Sequence, residues 1–130
     1  MVEINCETDF VARTDVFQAF SRDIAMHIAA ANPRYLDKSV VTEADLQAER
    51  EILKKQAEEQ GKKGPVVDKI VDGRINKFFE ENCLLHQRFV KDADRTVEEV
   101  LKEAIAKLGE NIQIRRFVRF QIGETVAKAE

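Results

Sequence analysis

Glu7 and Asp9 stand two residues apart, and His27 follows on the next helical stretch. Carboxylates beside an imidazole are the raw material of general acid–base chemistry, which needs a pocket that shifts their pKa values. Around them the chain has no glycine-rich phosphate loop, no nucleophile elbow and no metal-ligand spacing. The spacing therefore favours plainer roles. Glu7 and Asp9 read as caps that interact with a helix N-terminus, and His27 as a hydrogen-bonded structural histidine near a core-facing stripe. A second candidate is the basic run IRRFVRF, in which Arg115, Phe117 and Arg119 share a face. Basic residues interleaved with aromatics can bind nucleic acid. On a chain of net charge −3 a solvated outer sheet face is the favoured reading. The third candidate is Phe10, within NCETDFVAR (Asn5 to Arg13). It either packs back on Phe17 as a hydrophobic staple, which periodicity slightly favours, or stands exposed among acids as an anchor for a partner's pocket.

Composition bounds these choices. The 130 residues suit one domain, and 44% apolar with 35% charged residues is a soluble globular balance with much exposed helix. The slight negative charge gives no global drive toward nucleic acid or anionic membrane. No apolar run approaches the roughly 18 residues of a membrane span. Met1 leads straight into a strand-like run, so no leader is expected. Cys6 and Cys83 fit free thiols in a reducing compartment and are too few to hold a metal.

The elements that must position these residues can be read in order. Val2, Ile4 and Cys6 alternate with Glu3, Asn5 and Glu7, as in a half-buried strand. A strand with no preceding partner leads to the expectation that the chain begins mid-fold. Thr8 or Asp9 can cap a first turn, and Thr14 to Gln18 offers a second start, with Asp15 and Gln18 at capping-box spacing. Two starts would let Thr8 to Arg13 form a separate turn with Phe10 outward. Phe17, Phe20, Ile24, Ile28 and Ala31 then make a core-facing stripe that Asn32-Pro33 ends. Thr42 caps a polar helix to about Gln60, and Pro65 opens another after Gly61 to Gly64. Their thin apolar seams predict an antiparallel helical hairpin over about 42–82 that protrudes from the body, as a docking arm or only a stabilising excursion. Leu84 to Val90 reads as a short strand. Thr96 to Glu99 is a capping box for a helix that Gly109 stops. Ile112 to Ile122 is the clearest strand. Ile112, Ile114, Val118, Phe120 and Ile122 are expected on one face, Gln113, Arg115, Phe117, Arg119 and Gln121 on the other, with a bulge near Arg115-Arg116. The tail from Glu124 to Glu130 is polar and expected to fray. The fold class is α+β: an antiparallel sheet of about three strands covered by helices on one face, with the hairpin inserted in a domain of residues 1–130.

NCETDFVAR followed by IAMHIAAANPRYL resembles the elongation factor Ts family, guanine-nucleotide exchange factors for the GTPase elongation factor Tu. The likeness continues in order through DKIVDGRINKF, LLHQRFVKD, TVEEVLKEAIAKLGENI and RRFVRFQIGE. It departs at the hairpin tip, where Gly61-Lys62-Lys63-Gly64-Pro65 replaces a usual Gly-Lys-Pro, and at His86-Gln87-Arg88-Phe89, where Glu-Gln-Pro-Phe is usual. The resemblance implies the docking core of such a factor, without the family's helical N-terminal domain and the first strand of its leading hairpin. The short spacing between FVAR and MHIAAANP resembles compact members, which are expected to work as homodimers. The TDFV motif, Thr8 to Val11, would then act near the partner's magnesium and phosphate site, with Phe10 as a wedge and Asp9 supplying negative charge. His27 would join that contact, and Phe89 and Val90 would touch another domain of the partner. No cofactor, nucleotide, nucleic acid or membrane is bound on this reading, no covalent chemistry is needed, and the setting is the cytoplasm, bacterial in type or that of an organelle. The alternative is a homodimerisation or protein-interaction module without exchange activity.

Overall fold

The computed structural model describes residues 1–124. In chain order it contains β1 (Val2–Asn5), α1 (Asp9–Ala12), α2 (Asp15–Ala31), α3 (Glu43–Glu59), α4 (Pro65–Asn82), β2 (Arg88–Phe89), β3 (Asp92–Thr96), α5 (Val97–Leu108) and β4 (Gln113–Phe117). Short 3-10 turns cover Lys38–Val40 and Leu84–His86. The class is α+β, as expected. The fraying tail expected at the C-terminal end lies, beyond Glu124, outside the described residues.

Threonines start four of the helices. The hydroxyls of Thr8, Thr14, Thr42 and Thr96 accept from the backbone N–H of Val11, Phe17, Asp45 and Glu99, which satisfies donors that a helix N-terminus leaves free. Both expected starts near residue 10 are therefore used, and Thr14 rather than Asp15 caps the second. Asn32, in the left-handed region at φ 49°, closes α2 ahead of Pro33.

One core lies between α2, α5 and the strands. Phe17, Phe20, Ile24 and Ile28 of α2 meet Leu84, Phe89, Val97, Val100, Ala104, Ile112 and Ile114, with Val2 and Ile4 packed on the edge. A second cluster of Ala57, Val67, Val71 and Ile75 lies between α3 and α4. Arg50 bonds Asp72 at 3.0 Å and Arg74 bonds Gln60 at 3.2 Å across that pair. At its base the Asn82 carbonyl accepts from Arg34 and Tyr35 N–H (2.9 and 3.0 Å), and Leu84 N–H donates to the Tyr35 carbonyl at 2.8 Å.

The strands differ from the expectation of one sheet of about three. The described strands form two antiparallel pairs, β1 with β4 and β2 with β3. Of the strand expected over Leu84 to Val90, only Arg88–Phe89 is extended. Its first half is a 3-10 turn, in which His86 and Gln87 N–H both return to the Cys83 carbonyl. A short apolar run has the same composition in either conformation. β3, with the polar sequence DADRT, carries no alternation to read.

The strand expected from Ile112 to Ile122 is shortened to Gln113–Phe117, and its bulge is present. Glu3 faces Arg116 and Ile4 faces Ile114, so Arg115 is the extra residue. An extra residue changes the parity of everything after it. Phe117 therefore turns onto the core with Ile114 and Val118 is exposed, while Phe120 and Ile122, also exposed, lie beyond the strand. This reverses the faces expected for Phe117 and Val118.

Candidate functional site

The site is built on the turn between β1 and α2. α1 is a single turn, too short to hold itself together by backbone hydrogen bonds alone. Val11 and Ala12 pack inward on the core. Asp9 and Phe10 are left outward, and Phe10 is 78% exposed. A staple against Phe17 is thus not formed. Arg13 pairs with Asp9 at 3.2 Å in solvent, a bond that contributes little to stability.

Glu110, just beyond α5, anchors this turn. Its Oε1 accepts from the backbone N–H of Glu7 at 3.1 Å and of Thr8 at 3.0 Å. Its Oε2 accepts from the Thr8 hydroxyl at 2.6 Å. Glu7 answers by accepting from Asn111 N–H at 3.1 Å. Sequence reasoning missed Glu110, because nothing local marks a carboxylate whose donors lie 102 and 103 residues away.

His27 is a hydrogen-bonded histidine of the core, as its place near the core-facing stripe suggested. It is fully buried. Its Nδ1 accepts from Val90 N–H at 3.1 Å, and its Nε2 lies 2.9 Å from the Gln87 Oε1. These partners select the neutral tautomer with the proton on Nε2. Burial pushes its pKa below the ordinary value, and the Gln87 hydrogen bond opposes that shift. Gln87 in turn donates to the Glu81 carbonyl at 2.7 Å and the Ala31 carbonyl at 3.5 Å. Phe89 is buried and stacks on the imidazole, with ring centroids 5.9 Å apart. Of this group only Val90 is exposed.

The expected site residues thus fall into two groups. Thr8, Asp9, Phe10 and Val11 share one turn, and His27, Phe89 and Val90 share one buried hydrogen-bond and stacking network. No hydrogen bond or ion pair among the described residues joins them. The acid–base trio is not assembled: Glu7 is bonded to Asn111, Asp9 is paired with Arg13 and His27 is inside. Among the described residues no three His, Cys, Asp or Glu side chains are grouped to hold a metal. Cys6 and Cys83 are both free thiols. No described helix is long and apolar enough to cross a membrane. The basic strand is only partly neutralised: Arg115 and Arg116 both reach the single carboxylate of Glu3, at 3.5 and 3.0 Å.

An α+β body, a pair of long helices with a core of their own, and a solvent-facing phenylalanine on a clamped turn define the class: a scaffold that holds an aromatic side chain outward. The family model described as Elongation factor TS matches residues 18–124. The chain belongs to the elongation factor Ts family. The Carboxydothermus hydrogenoformans elongation factor Ts is 58% identical over 130 residues, 100% of this chain and 60% of that protein. The Thermoanaerobacter sp. (strain X514) elongation factor Ts is 59% identical over 126 residues, 97% of this chain and 62% of its own length. That of Geobacter metallireducens is 54% identical over 130 residues, again 100% of this chain and 60% of the relative. The chain therefore spans about three-fifths of the length of these relatives. The family model starts after the TDFV turn, whereas the Carboxydothermus and Geobacter alignments run over the whole chain.

Proposed function

We propose that this chain is the docking core of a guanine-nucleotide exchange factor for elongation factor Tu. The observation that carries the reading is Phe10, a large apolar side chain exposed on a turn held in place from outside itself. A phenylalanine so placed gains most by burial in another protein. Phe10 enters the GTPase near its magnesium and phosphate site, Asp9 brings negative charge beside it, and Thr8 and Val11 fix the turn. Val90 forms a second contact, with His27 and Phe89 as its buried support. The action is binding, not bond-making, and takes place in the cytoplasm, without a cofactor and without nucleotide held on this chain.

The energetics need only linkage. A factor that binds nucleotide-free GTPase better than its GDP complex weakens GDP binding by the same coupling free energy. Loosening the magnesium site removes the strongest local charge on the phosphates. The test is release of a fluorescent GDP analogue from elongation factor Tu, with this chain and with Phe10→Ala. Fast release that the variant loses supports the reading, and an equal rate with both sinks the wedge.

A second reading is favoured by the exposed apolar side chains Val118, Phe120 and Ile122, with Met1 beside them in the β1–β4 pairing. They suit a second copy of this chain laid along that edge. Light scattering on the purified chain separates monomer from homodimer.

A further inference from the structure

Gly109 ends α5 in the left-handed region, at φ 72°, and turns the chain so that Glu110 faces the Glu7–Thr8 segment. The Glu110 carboxylate takes three donors there, two backbone N–H groups and one hydroxyl. Hydrogen bonds to an ionised acceptor are stronger than neutral ones. The third has a further effect. The Thr8 hydroxyl, having donated to Glu110, keeps its lone pairs for Val11 N–H, which it accepts at 3.3 Å. Glu110 thereby orients the cap that starts α1. A one-turn helix without such support samples many directions, and ordering it would fall to the moment of binding.

We propose that Glu110 is a positioning residue for exchange. It holds the Glu7–Thr8 backbone and so sets the direction of Phe10 before a partner arrives. The proposal rests on the docking reading of Phe10. It goes beyond it in assigning a role to a residue that acts through the Glu7–Thr8 backbone.

The test uses the full chain with Glu110→Ala and Glu110→Gln, each with and without Phe10→Ala. Two quantities are followed: amide hydrogen exchange at Glu7, Thr8 and Val11, and release of the GDP analogue from elongation factor Tu. Glu110→Ala is expected to speed exchange of these amides while those of α2 and α5 keep their protection. It is expected to slow release by up to about 100-fold, the scale of loss when a positioned group is misplaced. Glu110→Gln keeps an oxygen for both amides and recovers much of the loss. In the Phe10→Ala background Glu110→Ala causes no further loss, because nothing is left to aim. An equal loss in both backgrounds shows a structural role only and overturns the proposal. So does release within about twofold of the parent in Glu110→Ala when Phe10→Ala abolishes it. If the parent chain itself releases nothing, the docking reading fails. The amide exchange still judges the clamp, and unchanged exchange overturns it.

Discussion

Phe10 and Phe17 have opposite environments within one short stretch. Phe17 is 8% exposed on the core face of a long helix, and Phe10 is 78% exposed on a single turn. Phe17→Ala is expected to cost about 3–5 kcal/mol. Phe10→Ala should change stability by less than about 0.5 kcal/mol, and urea denaturation of the two variants checks the contrast. Periodicity could place Phe17 because its neighbours repeat at helical steps. It could not place Phe10, whose outward direction depends on Val11 and Ala12 turning inward. His27 makes a second prediction. Its folded pKa lies below the ordinary value because it is buried, so the unfolded chain binds protons more readily. The stability it supports is full above the unfolded value of about 6.5 and is lost as pH falls from there through the lower folded value. The nearby charges, Asp23 one turn earlier and Lys91 after Val90, pair with each other at 3.1 Å. Urea melts at stepped pH should show a loss of at most about 1.4 kcal/mol per pH unit that His27→Asn removes.

Each helix depends on a few terminal contacts. Thr14 both accepts from Phe17 N–H at 3.1 Å and donates to the Val11 carbonyl at 2.7 Å, so it closes α1 as well as opening α2. Thr14→Ala is expected to cost about 1–2 kcal/mol, with fraying of both helices seen as faster amide exchange. Gly109 meets no atom within 4 Å of a built Cβ, so only its φ of 72° resists substitution. Gly109→Ala should cost about 1–2 kcal/mol, read from the shift of the denaturation midpoint. Such starts and stops were legible from sequence, because a cap and its helix are neighbours in the chain. The sheet was less so. The β1–β4 bulge could be foreseen from Arg116 interrupting the apolar face, yet its effect on Phe117 and Val118 depends on where β1 lies. β3 could not be foreseen, since Asp92 to Thr96 has no apolar rhythm and is extended by pairing with Arg88–Phe89. Glu110 and Gln87 escaped notice for the same reason: their partners are distant residues and backbone groups.

Across the whole molecule the two apolar clusters share no buried residue. The α3–α4 cluster has four buried side chains, and Ile75→Ala is expected to remove about 2–5 kcal/mol from it. Amides of α3 and α4 should then exchange faster while those of α2 and α5 keep most of their protection, as in sub-global opening. Uniform loss of protection would show one cooperative unit instead. The β1–β4 pairing has a consequence for the order in which the molecule is made. Met1 is bonded to Val118 through both its N–H and its carbonyl, and Glu7 and Thr8 are bonded to Glu110 and Asn111. A ribosome adds residues in chain order, so β1 must wait for β4. The α3–α4 pair, built on near neighbours, can assemble while translation continues. A nascent chain halted before Glu110 would carry Phe10 on an unheld turn, so the direction of Phe10 sets only after the segment through Val118 has left the exit tunnel.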